Sequence, residues 1–297
     1  MSNPFLEQDR SPLQIPLSPR AVLRMSGPDR FRFLSGQVTQ DVSLATTTEA
    51  AYACVLNAKG QLDAICYIRA DEDSYLIDAP IELREHLLTR LERYLIADDV
   101  EIRDESDDWT ITHLINYDER PTGELFWLTK RLGEQGLDIF SRTELQVEGV
   151  TIATEKHYEG LRTFRGIPKW GSELYFGQMP QEAGLENDTI SYAKGCYIGQ
   201  EVISRIKRAG KVPRYLTKFL VPPGTNPPCP IYSNGIEAGE ITTVADLLPG
   251  ESAHLALGYR RRKFKEAESF DLCLCCELLS RGTLLDSFSQ ASPKDPR

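Results

Sequence analysis

The sequence predicts an α+β protein whose strands pair mainly as antiparallel hairpins. Apolar runs at 51–56 and 62–69 flank the Asn- and Gly-containing segment 57–61, and this pattern indicates a β-hairpin. Residues 81–96 repeat leucine every four positions, which is typical of an amphipathic helix. Helices and hairpins follow one another without regular strand–helix–strand units, so a wholly parallel sheet is not expected.

The first two thirds of the chain are predicted to contain both helices and strands. A proline-rich arm, residues 1–20, precedes a strand at 21–25 and a helix in which Pro28 suits an early position and Gly36 supplies the end. Further strands are predicted at 74–78, 100–103, 109–114, 125–128 and 136–140, and further helices at 155–164 and 200–208.

The last third of the chain changes character and reads as β-rich. Short apolar runs separated by Pro and Gly occur at 215–222, 230–233, 237–244, 253–259 and 268–279. Such spacing indicates a small antiparallel barrel or sandwich. The predicted organisation is therefore an arm at 1–20, an α+β region at 21–213, a β-domain at 214–285 and a flexible tail at 286–297.

Composition excludes several classes of protein. The chain has 297 residues and a net charge of −10, which fits two or three domains and argues against indiscriminate binding to nucleic acid or anionic membranes. It has no apolar run of about 18 residues, so no transmembrane helix is expected, and its start lacks the apolar region of a signal peptide.

Cysteine and histidine usage indicates a reduced, cytoplasmic protein. The seven cysteines are odd in number and lack the spacing of a disulfide framework. The group Cys273, Cys275 and Cys276 lies in a predicted strand, where the first two share a face and the third points away, so it is not favoured as a metal site. The four histidines show no ligand spacing, and no metal site is predicted.

The most informative stretch is residues 194–201, which read K-G-C-Y-I-G-Q-E. Two glycines permit backbone angles that a Cβ would forbid, so Cys196 is expected on a constrained loop just before a helix. Lys194 and the helix dipole would both favour a thiolate at Cys196. The alternative is a buried, unreactive cysteine, and the spacing alone leaves both interpretations open.

This octapeptide resembles the signature of the YgfZ-type folate-binding proteins, which are relatives of the glycine-cleavage T-protein, an aminomethyltransferase. The similarity continues through residues 202–205, and residues 30–42 (R-F-R-F-L-S-G-Q-V-T-Q-D-V) are similar to the opening of the same superfamily. The resemblance implies two α+β subdomains and a C-terminal antiparallel β-barrel arranged in a ring around a folate-binding channel.

The resemblance also implies a function. It points to a folate-binding accessory protein in the assembly or repair of iron–sulfur clusters, including those of tRNA-modifying enzymes. Tetrahydrofolate or a related folate would be the cofactor, and iron–sulfur client or assembly proteins would be the partners. Cys196 would be the functional thiol, handling a cluster, a sulfur species or a mixed disulfide with a client.

Asp63 is the carboxylate expected to contact the folate. A carboxylate in an apolar cleft can accept hydrogen bonds from pterin nitrogens or act as a base, whereas the alternative is a solvated acid at a strand end. T-proteins carry G-G-x-x-D-D at this place, and the Asp contacts folate. Here a single Asp63 is followed by Ala64, so folate contact is expected and aminomethyl transfer is doubtful.

Two residues of the third helix are further candidates. Relatives often have L-R-I-E at 161–164, where this chain has L-R-T-F. Phe164 replaces a pterin-binding Glu and is expected to stack on the pterin instead. Arg162 is expected to pair with folate carboxylates, with an ordinary surface arginine as the alternative.

Glu182 matches the family's P-x-E and is expected to cap or orient the Cys196 loop, with a solvated loop acid as the alternative. The candidate catalytic residues are Cys196 and Asp63. The candidate cofactor-binding residues are Asp63, Arg162, Phe164, Glu182, Lys194, Tyr197, Gln200 and Arg205.

Basic residues form two clusters in this acidic chain. They are Arg205, Lys207, Arg208, Lys211, Arg214 and Lys218, and the run 260–265. They are either solvated faces or a patch for polyglutamylated folate, RNA or a partner protein. Aromatic residues are not interleaved as in single-strand binders, so an anionic ligand or a protein is favoured over RNA.

Two other functions remain open at this stage. The first is a tetrahydrofolate-dependent transferase that moves an aminomethyl group or demethylates its donor, although the contexts of Asp63 and Phe164 count against it. The second is an RNA-binding module that acts beside tRNA modification.

Overall fold

The computed structural model describes residues 11–17, 19–117, 119–120, 124–245 and 253–272, and the backbone of 280–284. The predicted tail and the cluster Cys273, Cys275 and Cys276 lie outside these ranges. The α-helices are α1 Arg30–Gln37, α2 Arg84–Glu92, α3 Glu155–Arg165, α4 Glu186–Thr189 and α5 Gln200–Ala209. Short 3₁₀ helices span Val42–Leu44, Ile81–Leu83, Ser106–Asp108 and Arg262–Phe264.

The strands form two five-stranded sheets and a barrel. The hairpin sheet has the order β3-β4-β5-β2-β6, with β2 Arg20–Ser26, β3 Ala51–Leu56, β4 Leu62–Asp71, β5 Ser74–Pro80 and β6 Glu101–Asp104. The mixed sheet has the order β10-β1-β7-β9-β8, with β1 Leu13–Pro16, β7 Thr110–Ile115, β8 Leu125–Thr129, β9 Gly136–Ser141 and β10 Thr151–Ile152.

The barrel closes in the order β11-β14-β13-β12-β15-β16. Its strands are β11 Arg214–Val221, β12 Cys229–Ser233, β13 Ile236–Ala245, β14 His254–Arg261, β15 Ser269–Leu272 and β16 Ser280–Leu284. Phe219, Ile231 and Phe270 are among the side chains that fill its core. The predicted α+β class and C-terminal β-barrel are thus confirmed.

The β3–β4 hairpin forms where the sequence predicts it, and Tyr52 lies opposite Tyr67. The helix predicted over 81–96 is shorter than expected. It begins as the 3₁₀ turn Ile81–Leu83 and ends its α-helical part at Glu92. Leu83, Leu87 and Leu91 are buried, whereas Ile96 is 88% exposed. The leucine repeat therefore supports a helix only as far as the core extends.

The proline-rich segment predicted as an arm contributes a strand. Residues Leu13–Pro16 pair with β7 on one side and β10 on the other. Ile15 is buried, and the Gln14 side chain accepts a hydrogen bond from the Val147 N–H at 2.9 Å. Pro16 ends the strand, where the missing N–H costs least. Its prolines concealed this strand from sequence reasoning.

The largest core lies beneath the hairpin sheet and includes residues from α1, α2 and the segment that leads into α5. Tyr197 and Ile203 belong to this core. The signature octapeptide is therefore joined to the main body of the molecule by packing as well as by sequence. Within the described residues, no helix combines the length and apolar character needed to cross a bilayer.

Candidate functional site

The Cys196 loop connects α4 to α5 and is held against two other elements. Gly199 has φ +87°, and a Cβ there would lie 2.7 Å from the Asn57 carbonyl oxygen in the β3–β4 turn. The Ile198 N–H donates to the Gly36 carbonyl in α1 at 3.2 Å. A glycine is therefore required at Gly199, because it supplies both the left-handed backbone and the close approach to the hairpin turn.

Lys194 anchors this loop to the end of α1. Its ammonium donates to the carbonyl oxygens of Ser35, Val38 and Gln40 at 2.7, 2.8 and 2.9 Å. A cation at a helix C-terminus satisfies carbonyls that lack an intrahelical partner. The sequence predicted that Lys194 would favour the Cys196 thiolate. The structure adds an anchoring role, because the ammonium donates to three backbone carbonyls, and its effect on the Cys196 thiolate stays a prediction.

Burial lowers the pKa of the Lys194 ammonium to about 8, while the carboxylate of Asp41 acts in the opposite direction. Tyr197, three residues further on, is 7% exposed, and its hydroxyl has no hydrogen-bond partner among the described residues. Burial raises the pKa of this phenol to about 12. Lys194 and Tyr197 therefore hold the loop against the protein core, and the Lys194 ammonium lies 5.2 Å from the centre of the Tyr197 ring.

Cys196 itself is exposed, whereas Cys54, Cys66 and Cys229 are buried. Burial raises the pKa of the Cys54 thiol to about 12 and that of the Cys66 thiol further still. Of the two interpretations that the sequence left open for Cys196, the structure supports the accessible one. The bracketing Gly195 has open space where a Cβ would stand, so the thiol is approachable from that side.

Asp63 lies near the start of β4 in an ion pair that the sequence did not reveal. Its Oδ2 accepts from the Arg90 Nε at 3.2 Å. Arg90 is 4% exposed and also donates to Gln37 Oε1 at 2.9 Å and to the Leu56 carbonyl at 3.0 Å. Asp63 is therefore a partly buried, charge-paired acceptor, which differs both from a solvated acid and from a carboxylate in an apolar cleft.

A cavity of about 310 Å³ opens beside the same strand. Ile65 and Tyr67 of β4 line it. Asp63, two residues before Ile65, is the extra residue of a β-bulge between β3 and β4, so the alternation of side chains between the two faces is interrupted there. Asp63 and Cys196 do not themselves line it. Other lining residues are Arg20, Tyr52, His113, Arg131, Lys169 and Trp170. The cavity thus lies beside the β3–β4 hairpin, the element in which the sequence singled out Asp63.

Sequence reasoning missed most of these lining residues. Tyr52 stacks on Tyr67 with ring centres 4.4 Å apart and an interplanar angle of 7°. The Arg131 guanidinium lies 4.1 Å from the centre of the Tyr67 ring. The hairpin register offered a usable signal, because it places the two tyrosines opposite each other. Nothing in the sequence pattern brings Arg131, which follows β8, to this hairpin.

A buried ion cluster joins the two sheets at one end of the cavity. In the hairpin sheet, Asp78 accepts from Arg20 Nε at 2.5 Å and from Arg69. In the mixed sheet, Asp138 accepts from Arg69, and His113 Nδ1 lies 2.8 Å from its Oδ1. Arg131 bridges the two carboxylates, at 2.7 Å from Asp78 and 2.8 Å from Asp138.

The electrostatics of this cluster are decided by its guanidinium groups. Burial acts to raise the pKa of the Asp78 carboxyl, but Arg131, Arg20 and Arg69 outweigh it and hold that pKa well below its usual range. Burial also acts to raise the pKa of the Asp138 carboxyl, but its neighbours, chiefly Arg131, hold that pKa well below its usual range. Both carboxyls are therefore charged, and the cluster clamps the two sheets together around the cavity wall.

Arg162 and Phe164 lie at the joint between α3 and the barrel. Arg162 is 1% exposed and donates to Glu173 Oε2 at 2.9 Å and to Thr243 Oγ1 at 3.0 Å. Phe164 packs beside Lys218, whose ammonium donates to the Phe164 carbonyl at 3.3 Å. Neither residue lines the cavity. Arg162 is thus neither a surface arginine nor a free guanidinium, because its N–H groups are taken by the protein.

Glu182 also serves this joint rather than capping the Cys196 loop. It is 7% exposed and accepts from Arg214 Nε at 2.9 Å, and its carbonyl accepts from the Leu216 N–H at 2.8 Å. Burial raises the pKa of the Glu182 carboxyl to about 7, and the adjacent guanidinium opposes that shift. The carboxylate therefore ties the loop that precedes α4 to the first barrel strand.

The last two expected site residues belong to α5. The Gln200 N–H donates to the Tyr197 carbonyl at 3.2 Å, which closes the turn into the helix. The side chain of Arg205 is 69% exposed and pairs with Glu201 at 3.3 Å. The structure thus brings Lys194, Cys196, Tyr197 and Gln200 together, with Asp63 on the neighbouring hairpin. Within the described residues, no cluster of His, Cys, Asp and Glu could hold a metal ion.

The whole chain has the fold of a solved aminomethyltransferase. It superposes on the glycine cleavage system aminomethyltransferase T of Bartonella henselae with a TM-score of 0.78, covering 92% of this chain and 85% of that one at 15% identity. The chain therefore has the aminomethyltransferase T fold. No family model matches the chain.

Sequence relatives with known names indicate which proteins of this fold the chain resembles. The iron–sulfur cluster assembly factor IBA57 of Mus musculus is 28% identical over 257 residues, covering 77% of this chain and 70% of the relative. The IBA57 homologue of Coccidioides immitis is 25% identical and covers 93% and 74%. The tRNA-modifying protein YgfZ of Klebsiella pneumoniae is 26% identical and covers 66% and 68%. This chain is a homologue of the YgfZ and IBA57 proteins, which confirms the resemblance predicted from residues 194–201.

Proposed function

We propose that this protein is a folate-binding accessory factor in the assembly or repair of iron–sulfur clusters, including those of tRNA-modifying enzymes. The observation that carries the proposal is Cys196, an exposed thiol on a loop fixed by Lys194 and Gly199. Relatives of this chain support the same role, because one is named as an iron–sulfur cluster assembly factor and another as a tRNA-modifying protein. Iron–sulfur client or assembly proteins are the proposed partners, and no membrane is involved.

The cavity beside β4 is the proposed folate site. Its volume of about 310 Å³ falls within the range of small-molecule pockets. Tyr52 and Tyr67 supply aromatic surface of the kind on which a pterin stacks, and Asp63 is the proposed acceptor for pterin N–H groups. Bound tetrahydrofolate would supply a flat pterin with ring donors and, at its other end, carboxylates. Tyr52, Tyr67 and Asp63 fit the cofactor. Arg162, Phe164 and Glu182 instead contact barrel strands.

A second candidate function is tetrahydrofolate-dependent one-carbon transfer, which the aminomethyltransferase T fold favours. Such chemistry needs a base at the folate. Asp63 Oδ2 instead accepts a hydrogen bond from the nearly buried Arg90, so this oxygen is already engaged by the protein. We therefore place the accessory role first. Turnover of a methylamine donor by the purified protein with tetrahydrofolate would reverse the order.

The decisive test of the accessory role is Cys196→Ser. Because the side chain is exposed, the urea unfolding curve should be unchanged, while iron–sulfur enzyme activities in cells that lack the wild-type protein should not be restored. Gly195→Ala is the matched control, since a Cβ there meets nothing within 4 Å, and it should restore those activities. Full restoration by Cys196→Ser would refute the proposal.

Folate binding is tested separately by titrating the protein with tetrahydrofolate and following fluorescence, because Trp170 lines the cavity. Asp63→Asn should weaken binding about tenfold or more, since it removes a charged acceptor. Asp71→Asn, at the other end of β4 and paired with Arg24, should leave the affinity unchanged. Equal affinities in all three proteins would exclude Asp63 as a folate contact.

A further inference from the structure

The ion cluster beside the cavity carries an excess of positive charge. It contains three guanidinium groups, those of Arg20, Arg69 and Arg131, and two carboxylates, those of Asp78 and Asp138. Both carboxylates and Arg69 are fully buried. An uncompensated charge in such surroundings is costly unless a counter-charge is brought to it.

Several donors of this cluster are unused. Arg131 donates through Nε and Nη2 to the two carboxylates, and Arg20 donates through Nε to Asp78. The remaining terminal nitrogens of both guanidinium groups have no hydrogen-bonding partner in the described part of the chain, and both residues line the cavity. These donors are what an anionic group of a ligand requires.

The acidic residues that line the cavity do not neutralise this end. Glu82 and Glu155 are exposed, and Glu155 faces Lys169 at 3.5 Å. The Lys169 ammonium is bound more closely by Glu159, at 2.9 Å. Lys169 is therefore compensated by Glu155 and Glu159. The uncompensated positive charge of the cavity wall remains at Arg20 and Arg131.

The cavity wall beside these arginines is aromatic. Tyr52 and Tyr67 line it and stack on each other with ring centres 4.4 Å apart, and the Arg131 guanidinium lies 4.1 Å from the centre of the Tyr67 ring. A ligand that carries both an aromatic part and a carboxylate matches this pairing of groups.

We propose that Arg20 and Arg131 form a carboxylate subsite of the cavity, which holds a glutamyl carboxylate of a pteroylglutamate. Guanidinium groups pair with carboxylates through parallel N–H donors, which gives orientation as well as affinity. This inference rests on the proposed folate function and adds the residues that hold the glutamyl end of the ligand.

The test compares three probes by calorimetric titration: tetrahydrofolate, tetrahydropterin, which lacks the glutamyl end, and p-aminobenzoylglutamate, which lacks the pterin. The variant is Arg20→Gln, because Asp78 keeps its bonds to Arg69 and Arg131. Its affinity should fall about tenfold or more for tetrahydrofolate and p-aminobenzoylglutamate, since a charge-assisted pair is lost. Its affinity for tetrahydropterin should change by less than about twofold.

Arg24→Gln is the matched control on the same strand. Arg24 pairs with Asp71 and Glu105 and does not line the cavity, so all affinities should be retained. Unfolding curves of both variants verify that the fold persists. An Arg20→Gln protein that binds tetrahydrofolate like the wild type, or that weakens equally for tetrahydropterin, overturns the subsite.

The outcomes also separate this inference from the proposed function. If the wild type binds tetrahydrofolate and Arg20→Gln does not weaken it, the subsite is wrong and folate binding stands. If the wild type binds p-aminobenzoylglutamate through Arg20 but neither pterin probe, the carboxylate subsite stands and folate is the wrong ligand. If the wild type binds none of the three probes, both are wrong.

Discussion

At the scale of single residues, the four described cysteines divide by accessibility. Cys54, Cys66 and Cys229 serve as small apolar side chains of two cores, and Cys196 projects from the loop between α4 and α5. A thiol reacts through its thiolate and needs access to the reagent. The surroundings of each cysteine, rather than its residue type, therefore decide its chemistry.

This division predicts selective alkylation. Iodoacetamide at about neutral pH should modify Cys196 at least about tenfold faster than Cys54, Cys66 and Cys229, because the latter are buried and burial raises the pKa of Cys54 to about 12. Peptide mass spectrometry measures each site separately. In urea all four should react at similar rates. Rapid modification of Cys54 in the folded protein would contradict the structure.

At the scale of elements, the Cys196 loop, α1 and the β3–β4 turn form one assembly. Lys194 ties the loop to α1, and Gly199 fits it against the hairpin turn. An element held by a few specific bonds loosens as a unit when one of them is lost. The orientation of Cys196 therefore depends on Lys194, which does not need to touch the sulfur.

The lowered pKa of Lys194 gives this assembly a pH dependence. The folded state holds this pKa at about 8, against 10.5 for an unperturbed lysine. Unfolding therefore takes up a proton between about pH 8 and 10.5, so this residue makes the free energy of unfolding rise with pH across that window.

Lys194→Met should lack this rise, so its deficit relative to the wild type should grow from about pH 8 upward. Urea denaturation of both proteins across the window measures it, and the other titrating groups cancel in the difference. Lys207→Met, whose side chain is 53% exposed, serves as the control and should run parallel to the wild type. A deficit that shrinks with pH would show that the sign is wrong.

At the scale of the whole molecule, a buried polar joint connects the barrel to the rest of the chain. Glu173, fully buried, accepts from Arg162 of α3 and from Thr242 and Thr243 of β13. The Tyr259 hydroxyl donates to the Glu173 carbonyl at 2.8 Å. Each of these groups satisfies another, so the loss of one leaves a buried partner unpaired.

Arg162→Met should therefore lower the free energy of unfolding by about 3–5 kcal/mol, the typical cost of breaking a buried ion pair. Arg165→Met, on the same helix, loses the pair with the exposed Glu134 and a hydrogen bond to the Leu132 carbonyl, and should cost about 1–2 kcal/mol. Urea denaturation measures both. Tetrahydrofolate affinity of the folded Arg162→Met protein should be unchanged, and a specific loss would instead restore Arg162 as a folate contact.

Much of this architecture was predictable because it is local. The hairpin at 51–69, helices α3 and α5 and the β-rich last third follow from short-range periodicity and turn residues, and the structure places them where expected. The strand Leu13–Pro16 was missed because of its prolines and because its pairing partners, β7 and β10, lie about 100 and about 140 residues further along the chain. The residues that line the cavity were missed because Arg20, Tyr67 and Arg131 come from separate elements.

The local sequence pattern predicted the α+β class and a β-rich last third, which could be a barrel or a sandwich. Residues 194–201 carried the family resemblance, which implied the barrel and made Cys196 and Asp63 candidates. Three contacts became visible only in the folded molecule. Lys194 donates to backbone carbonyls, Arg90 pairs with Asp63, and Arg162 pairs with Glu173 at the barrel joint. The physical reason is that periodicity and backbone preference act between near neighbours, whereas the partner of a charged side chain is fixed only when distant elements pack and exclude water.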